Sequence, residues 1–154
     1  MIRTPRLDLV PLADGEADAI VAGDREGRAW SAGYPTPGDL ETASWPAPVD
    51  PRWATLQVVE RATGLAIGGI GCHGAPSDGI VEIGYGIAPE VRGRGLATEA
   101  LAALVAFLEA QPEVRLVRAA SDTDNVPSQR VLERCGFVAV ARDELAIAWR
   151  RERR

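Results

Sequence analysis

Arg92-Gly93-Arg94-Gly95-Leu96-Ala97-Thr98 joins an apolar, glycine-studded run to a long amphipathic segment, and the reading of this junction decides the fold. Upstream, Ile80-Val81-Glu82-Ile83-Gly84-Tyr85-Gly86-Ile87 has the β-branched and aromatic content of a strand, and Pro89 takes the chain out of the sheet. Downstream, Leu101, Leu104, Val105 and Leu108 recur at steps of three and four, with Ala97 and Ala100 on the same face. That spacing predicts a helix ending near Gln111-Pro112. Between strand and helix, two glycines remove the Cβ atoms that would hold an anion off the backbone, and the first N–H groups of a helix have no intrahelical partner. The pattern predicts a diphosphate cradle made of the main-chain amides of residues 93 to 98, with the Arg92 or Arg94 guanidinium adding a charge-assisted contact.

The chain contains no lysine, which removes the Lys-Ser/Thr pair of a P-loop and its magnesium site; the three-glycine spacing of a dinucleotide fold is missing too. What remains at residues 92 to 97 is Arg-x-x-Gly-x-Ala. Further on, Asn125-Val126-Pro127-Ser128-Gln129-Arg130-Val131-Leu132-Glu133-Arg134-Cys135-Gly136-Phe137 has the form Asn-x-x-Ser-x-x-Val-x-x-x-x-Gly-Phe. With Thr4-Pro5-Arg6-Leu7-Asp8-Leu9-Val10-Pro11-Leu12 at the start and Glu82-Ile83-Gly84-Tyr85 in the middle, the chain resembles the GNAT superfamily of N-acetyltransferases over nearly its whole length. Within that superfamily the second motif resembles the RimJ/RimL-type branch, which acetylates ribosomal-protein N-termini and includes many relatives with other acceptors.

The resemblance implies an α/β (α+β) fold: a mixed, mostly antiparallel sheet of about seven strands with helices on both faces, splayed between the fourth and fifth strands. It also implies acetyl-CoA as co-substrate, a primary amine as acceptor, and direct transfer in a ternary complex without a metal. Cofactor contacts would come from Ile87, Arg92, Gly93, Arg94, Gly95, Leu96, Ala97, Thr98, Asn125 and Ser128, the pantetheine arm pairing like an extra strand near Ile87. Gly84 and Gly86 fit either that close approach or tight packing. An aliphatic amine with a pKa of about 10 is protonated at neutral pH, so a base must act before attack. Glu82 is the candidate, either as that base or as an orienting group, and His73 is the second. Ser128 would protonate or hydrogen-bond the departing sulfur, since Leu132 stands where many relatives carry a tyrosine. The alternative is a non-catalytic acyl-CoA-binding or sensing domain; an acyl-enzyme on Cys72 or Cys135 finds no His/Asp arrangement to support it.

The 154 residues, 46% of them hydrophobic, fit a single domain spanning 1–154. The longest apolar stretch, Ala100 to Leu108, is too short to cross a bilayer, and Met1 to Arg6 lacks a signal-peptide core, so a cytoplasmic protein with no membrane partner is expected. Cys72 and Cys135 read as reduced, buried thiols, and a lone His73 completes no zinc set with them. Residues 1–91 carry six arginines and thirteen acids, whereas residues 92–154 carry eleven arginines and nine acids. A negative first half suits an acceptor that arrives as a cation, or simply keeps the surface soluble. No basic stripe interleaved with aromatics points to nucleic acid, the terminal Arg150-Arg151-Glu152-Arg153-Arg154 reads as a solvated tail, and a homodimer is left open. Asp14 is expected to cap a helix reaching about Asp24, and 25–52, with Trp30, Tyr34 and Trp45, to form short helices and loops.

Overall fold

The computed structural model describes residues 1–154. Eight strands form one sheet: β1 (Ile2–Arg3), β2 (Leu7–Pro11), β3 (Thr55–Glu60), β4 (Ala66–Cys72), β5 (Ile80–Ile87), β6 (Leu116–Asp122), β7 (Val138–Arg142) and β8 (Ala146–Glu152). Their spatial order is β1-β2-β3-β4-β5-β6-β8-β7, and every neighbouring pair is antiparallel except β5 with β6. The helices are α1 (Glu16–Ala22), α2 (Pro37–Ala43), α3 (Leu96–Glu109) and α4 (Val126–Arg134). The mixed, mostly antiparallel architecture agrees with the sequence; the strand beyond the expected seven is the two-residue β1, paired at Ile2↔Leu9.

Strand alternation separates the two faces. Val81, Ile83 and Ile87 of β5 join Leu101, Leu104, Val105 and Leu108 of α3 and Leu132 of α4 in the main core, so α3 and α4 cover this face. Glu82, Gly84 and Gly86 point to the other face, where α1 and α2 lie and where Ala19, Ile20, Trp30, Tyr34 and Ala66 form a second cluster. In β4 the parity switches at Ile67, an extra residue: Val58 pairs with Gly68 and Val59 with Ala66.

The β5–β6 pairing sets up the site. It lasts only from Ile80↔Leu116 to Glu82↔Arg118, after which the strands part, while β4 stays paired with β5 as far as Gly68↔Ile87. The sheet therefore splays beyond Glu82, at the expected segments, which are β5 and β6 once β1 is counted.

Several local expectations need correction. Gly15, at φ 79° and with no side-chain cap, precedes α1 instead of Asp14, and that helix ends at Ala22. The sequence reads as a short strand from Val114 to Ala120, but Val114, wholly buried, lies outside β6, which starts two residues later and runs to Asp122. The terminal arginines are not simply a solvated tail: β8 includes Arg150 and Arg151, and Arg151 binds Glu109 at 2.9 Å and the Cys135 carbonyl at 2.8 Å. No helix is long and apolar enough to cross a membrane.

Candidate active site

Three pieces of chain meet at the splay: the free edge of β5, the turn into α3, and the start of α4. In the turn, Gly93 and Gly95 take left-handed φ values of 79° and 76°, which side-chain-bearing residues adopt only with strain. Nothing lies within 4 Å of where a Gly93 Cβ would stand. Gly95 serves as the N-cap of α3 without any side-chain cap, and no protein acceptor takes the N–H groups of residues 93 to 98. Thr98 Oγ1 is likewise buried without a partner. A row of bare donors at the positive end of a helix suits a diphosphate.

The two arginines of the turn are engaged by the protein. Arg92 Nε donates to the Ile87 carbonyl at 3.0 Å, and Arg94 pairs with Glu60, whose side chain is 6% exposed. Arg6, absent from the sequence-based site, fastens the turn from outside: its Nη1 donates to the Arg94 carbonyl at 2.8 Å and its Nε to Glu99 Oε2 at 2.7 Å. Glu99 also accepts from the Arg6 amide at 2.8 Å and the Thr4 hydroxyl at 2.6 Å. This network explains why Thr4-Pro5-Arg6 belongs with the motif. A Pro-Arg pair at a strand entrance gives no sign of it in the sequence alone.

Along β5, His73 donates its N–H to the Glu82 carbonyl and Ala88 donates to the Ile67 carbonyl. Antiparallel alternation between these bonds turns the backbone groups of Glu82, Gly84 and Gly86 toward β4, and those of Ile83, Tyr85 and Ile87 toward the gap. The Ile87 carbonyl is taken by Arg92, which leaves its N–H facing the opening.

On the α4 side, Asn125 is the N-cap and its Oδ1 accepts from the Ser128 N–H at 3.2 Å. Ser128 itself is therefore not the cap, and its hydroxyl lies 2.8 Å from that of Tyr85. Tyr85 reaches α4 from β5, while Leu132 is buried in the core. The residue missed in the sequence is thus Tyr85; the only signal was an aromatic between two glycines of a strand. Burial pushes its phenol up to about 12, against the opposing hydrogen bond to Ser128.

Glu82 and His73 stand together on the opposite face, with Nδ1 and Oε1 3.9 Å apart. Glu82 is 46% exposed rather than desolvated. Gly84 and Gly86 are explained on this face by packing: a Cβ at Gly84 would overlap the His73 ring, and one at Gly86 would come 3.1 Å from Thr36 Oγ1. Beside them opens a cavity of about 210 Å³ lined by Asp39, Glu41, Thr42, Trp45, His73 and the glycines of β4 and β5. Trp45 packs edge-on against His73, whereas Trp30, Tyr34 and Trp53 are buried anchors.

A sheet opened at one parallel pair, with an amide-lined turn at the mouth, is the arrangement that the resemblance to the GNAT superfamily implies. Residues 6–138 match the acetyltransferase (GNAT) domain model, and the chain belongs to that family. Among solved structures it is similar to an acetyltransferase from Agrobacterium tumefaciens str. C58, at 25% identity and a TM-score of 0.70, covering 98% of this chain and 93% of that one. Campylobacter jejuni N-acetyltransferase PseH, solved in complex with acetyl coenzyme A, has the same fold at 13% identity and a TM-score of 0.55, over 65% of this chain and 67% of PseH. An uncharacterized N-acetyltransferase, YjdG of Bacillus subtilis (strain 168), is 30% identical over 82 residues, or 53% of this chain; the match spans about half, 49%, of that protein's length.

Proposed function

We propose that this protein is an acetyl-CoA-dependent N-acetyltransferase that moves the acetyl group to a primary amine by direct transfer in a ternary complex. The observation that carries the reading is the run of unpartnered amides from residue 93 to 98 beside the free edge of β5. The amides bind the diphosphate, and the pantetheine arm enters the splay near Ile87, where the Tyr85 backbone would pair with it. The Ile87 N–H then faces the thioester carbonyl and stabilises the oxyanion of the tetrahedral intermediate.

Chemistry follows from the two sides of β5. The amine nitrogen approaches from the Glu82 and His73 face, loses a proton to Glu82 directly or through water, and attacks the carbonyl carbon. The attacking nitrogen then gives its second proton to solvent, and collapse of the intermediate breaks the carbon–sulfur bond with the electron pair leaving on sulfur. A phenol raised to about 12 does not give its proton outright to a thiolate whose conjugate thiol has a pKa of about 8.5. The Tyr85–Ser128 pair therefore stabilises the leaving sulfur by hydrogen bonding, with Ser128 as the contact, while solvent completes protonation.

The Asn125 to Phe137 pattern supports placement in the RimJ/RimL-type branch, with a protein N-terminus or a small amine as acceptor. Incubation with acetyl-CoA and a panel of amines, following free thiol, tests the reading. Amine-dependent thiol release is expected; tight binding of acetyl-CoA with no release to any amine would favour a sensing domain instead.

A further inference from the structure

The cavity on the α2 face holds a buried carboxylate with no counter-charge. Asp39 is 6% exposed, and its Oδ2 accepts from the Thr36 N–H at 2.8 Å and the Thr36 hydroxyl at 2.7 Å, closing the capping box of α2. Its Oδ1 accepts no protein hydrogen bond and keeps some exposure beside Gly69, where both residues line the cavity. That oxygen rests against β4 only because residue 69 is glycine; a Cβ there would overlap it. Glu41, Trp45 and His73 form other walls, and neither arginine nor lysine lines the cavity.

A carboxylate that is mostly buried and has no counter-charge is costly, and a cation that fills the space beside its free oxygen offsets part of that cost. The reacting nitrogen is the wrong cation, because a carboxylate favours the ammonium form over the free amine that must attack. We propose that Asp39 Oδ1 binds a second cationic nitrogen of the acceptor, which makes a compact aliphatic diamine the preferred substrate class. One nitrogen is acetylated at the splay while the other, protonated, sits between Asp39, Glu41 and the Trp45 ring. Trp45 is 39% exposed, and its ring offers a surface suited to an ammonium group. The cavity volume of about 210 Å³ fits a short chain. This inference rests on the acetyl-transfer reading above.

The test compares 1,4-diaminobutane with butylamine as acceptors, together with calorimetric binding of the diamine to the CoA-loaded protein. The diamine is expected to have a kcat/KM about tenfold or more above butylamine, the discrimination one charge-assisted hydrogen bond supplies. Asp39→Asn, which retains an acceptor for Thr36, brings that ratio to within about threefold of unity and abolishes the calorimetric signal. Gly69→Ala does the same by displacing the carboxylate. Equal kcat/KM for the two amines in the unmodified protein, or an equal loss for both in Asp39→Asn, would overturn the proposal while leaving acetyl transfer intact. Diamine binding that requires Asp39 without any thiol release would uphold the subsite and remove the catalytic reading.

Discussion

The Tyr85 hydroxyl lies 2.8 Å from Ser128 Oγ and 3.1 Å from the Ser128 carbonyl oxygen, so a single side chain of β5 fastens the first turn of α4 across the opened sheet. The phenol has one proton to give. Where it is spent on the carbonyl, the serine hydroxyl donates to Tyr85; where it is spent on Oγ, the serine hydroxyl is free to donate to sulfur. Tyr85 is thereby a positioning residue for Ser128.

Tyr85→Phe is expected to lower kcat by about threefold to tenfold while changing the dissociation constant of CoA little. Ser128→Ala should cost at least as much in kcat, and the double variant no more than Ser128→Ala alone, because both remove one interaction. Additive losses measured in this cycle would separate the two hydroxyls.

Glu82→Gln tests the base. Loss of about a hundredfold in kcat/KM is the expected outcome. An unchanged rate would transfer the role to His73 or to solvent.

Much of the candidate site's local geometry was legible in the sequence because its parts are close together in the chain. A glycine-flanked turn into a helix announces bare amides, and the Asn125 cap with Ser128 three residues on lies within one helical turn. The long-range parts were not legible. Nothing in the sequence distance between Tyr85 and Ser128, Arg6 and Glu99, or Arg94 and Glu60 signals a contact, since each depends on how the sheet stacks segments far apart in the chain. Asp39 was hidden for a different reason: a Thr-Pro-Gly-Asp run reads as an ordinary helix start, and only the glycine below it turns the cap into a cavity wall. Asp14 misled because any acid before an apolar run resembles a cap, whereas the chain uses Gly15 at positive φ.

The Arg94–Glu60 pair is expected to matter for stability. Arg94 holds the Glu60 carboxyl below the usual carboxylate range. A depressed carboxylate stabilises the fold above its unfolded pKa, and the contribution is lost as pH falls through the folded value. Arg94→Ala should therefore destabilise the protein by about 1–3 kcal/mol near neutrality, with the deficit shrinking in acid; denaturant titrations at both pH values check this.

Asp39 carries the opposite sign. Burial raises its pKa above the ordinary value, against the hydrogen bonds from Thr36. A carboxyl raised in the folded state contributes stability that is fully present below its unfolded pKa and lost as pH rises through the folded one. Asp39→Asn should raise Tm above that range, and the gain should vanish in acid. A lower Tm at neutral pH would mean that the carboxylate is compensated in solution by a partner beyond Thr36.

The cradle depends on Gly95, where φ is 76°. Gly95→Ala should cost about 1–2 kcal/mol in backbone strain and weaken CoA binding by about the corresponding tenfold. Binding left intact would place the diphosphate elsewhere.

The central claim is that main-chain amides at the entrance to α3 grip the diphosphate of coenzyme A. Amide nuclear magnetic resonance spectra of the uniformly labelled protein, titrated in parallel with CoA and with pantetheine, which lacks the diphosphate, measure it directly. The account predicts large shifts of the 93–98 amides with CoA and small ones with pantetheine. Unmoved amides at saturating CoA would contradict it.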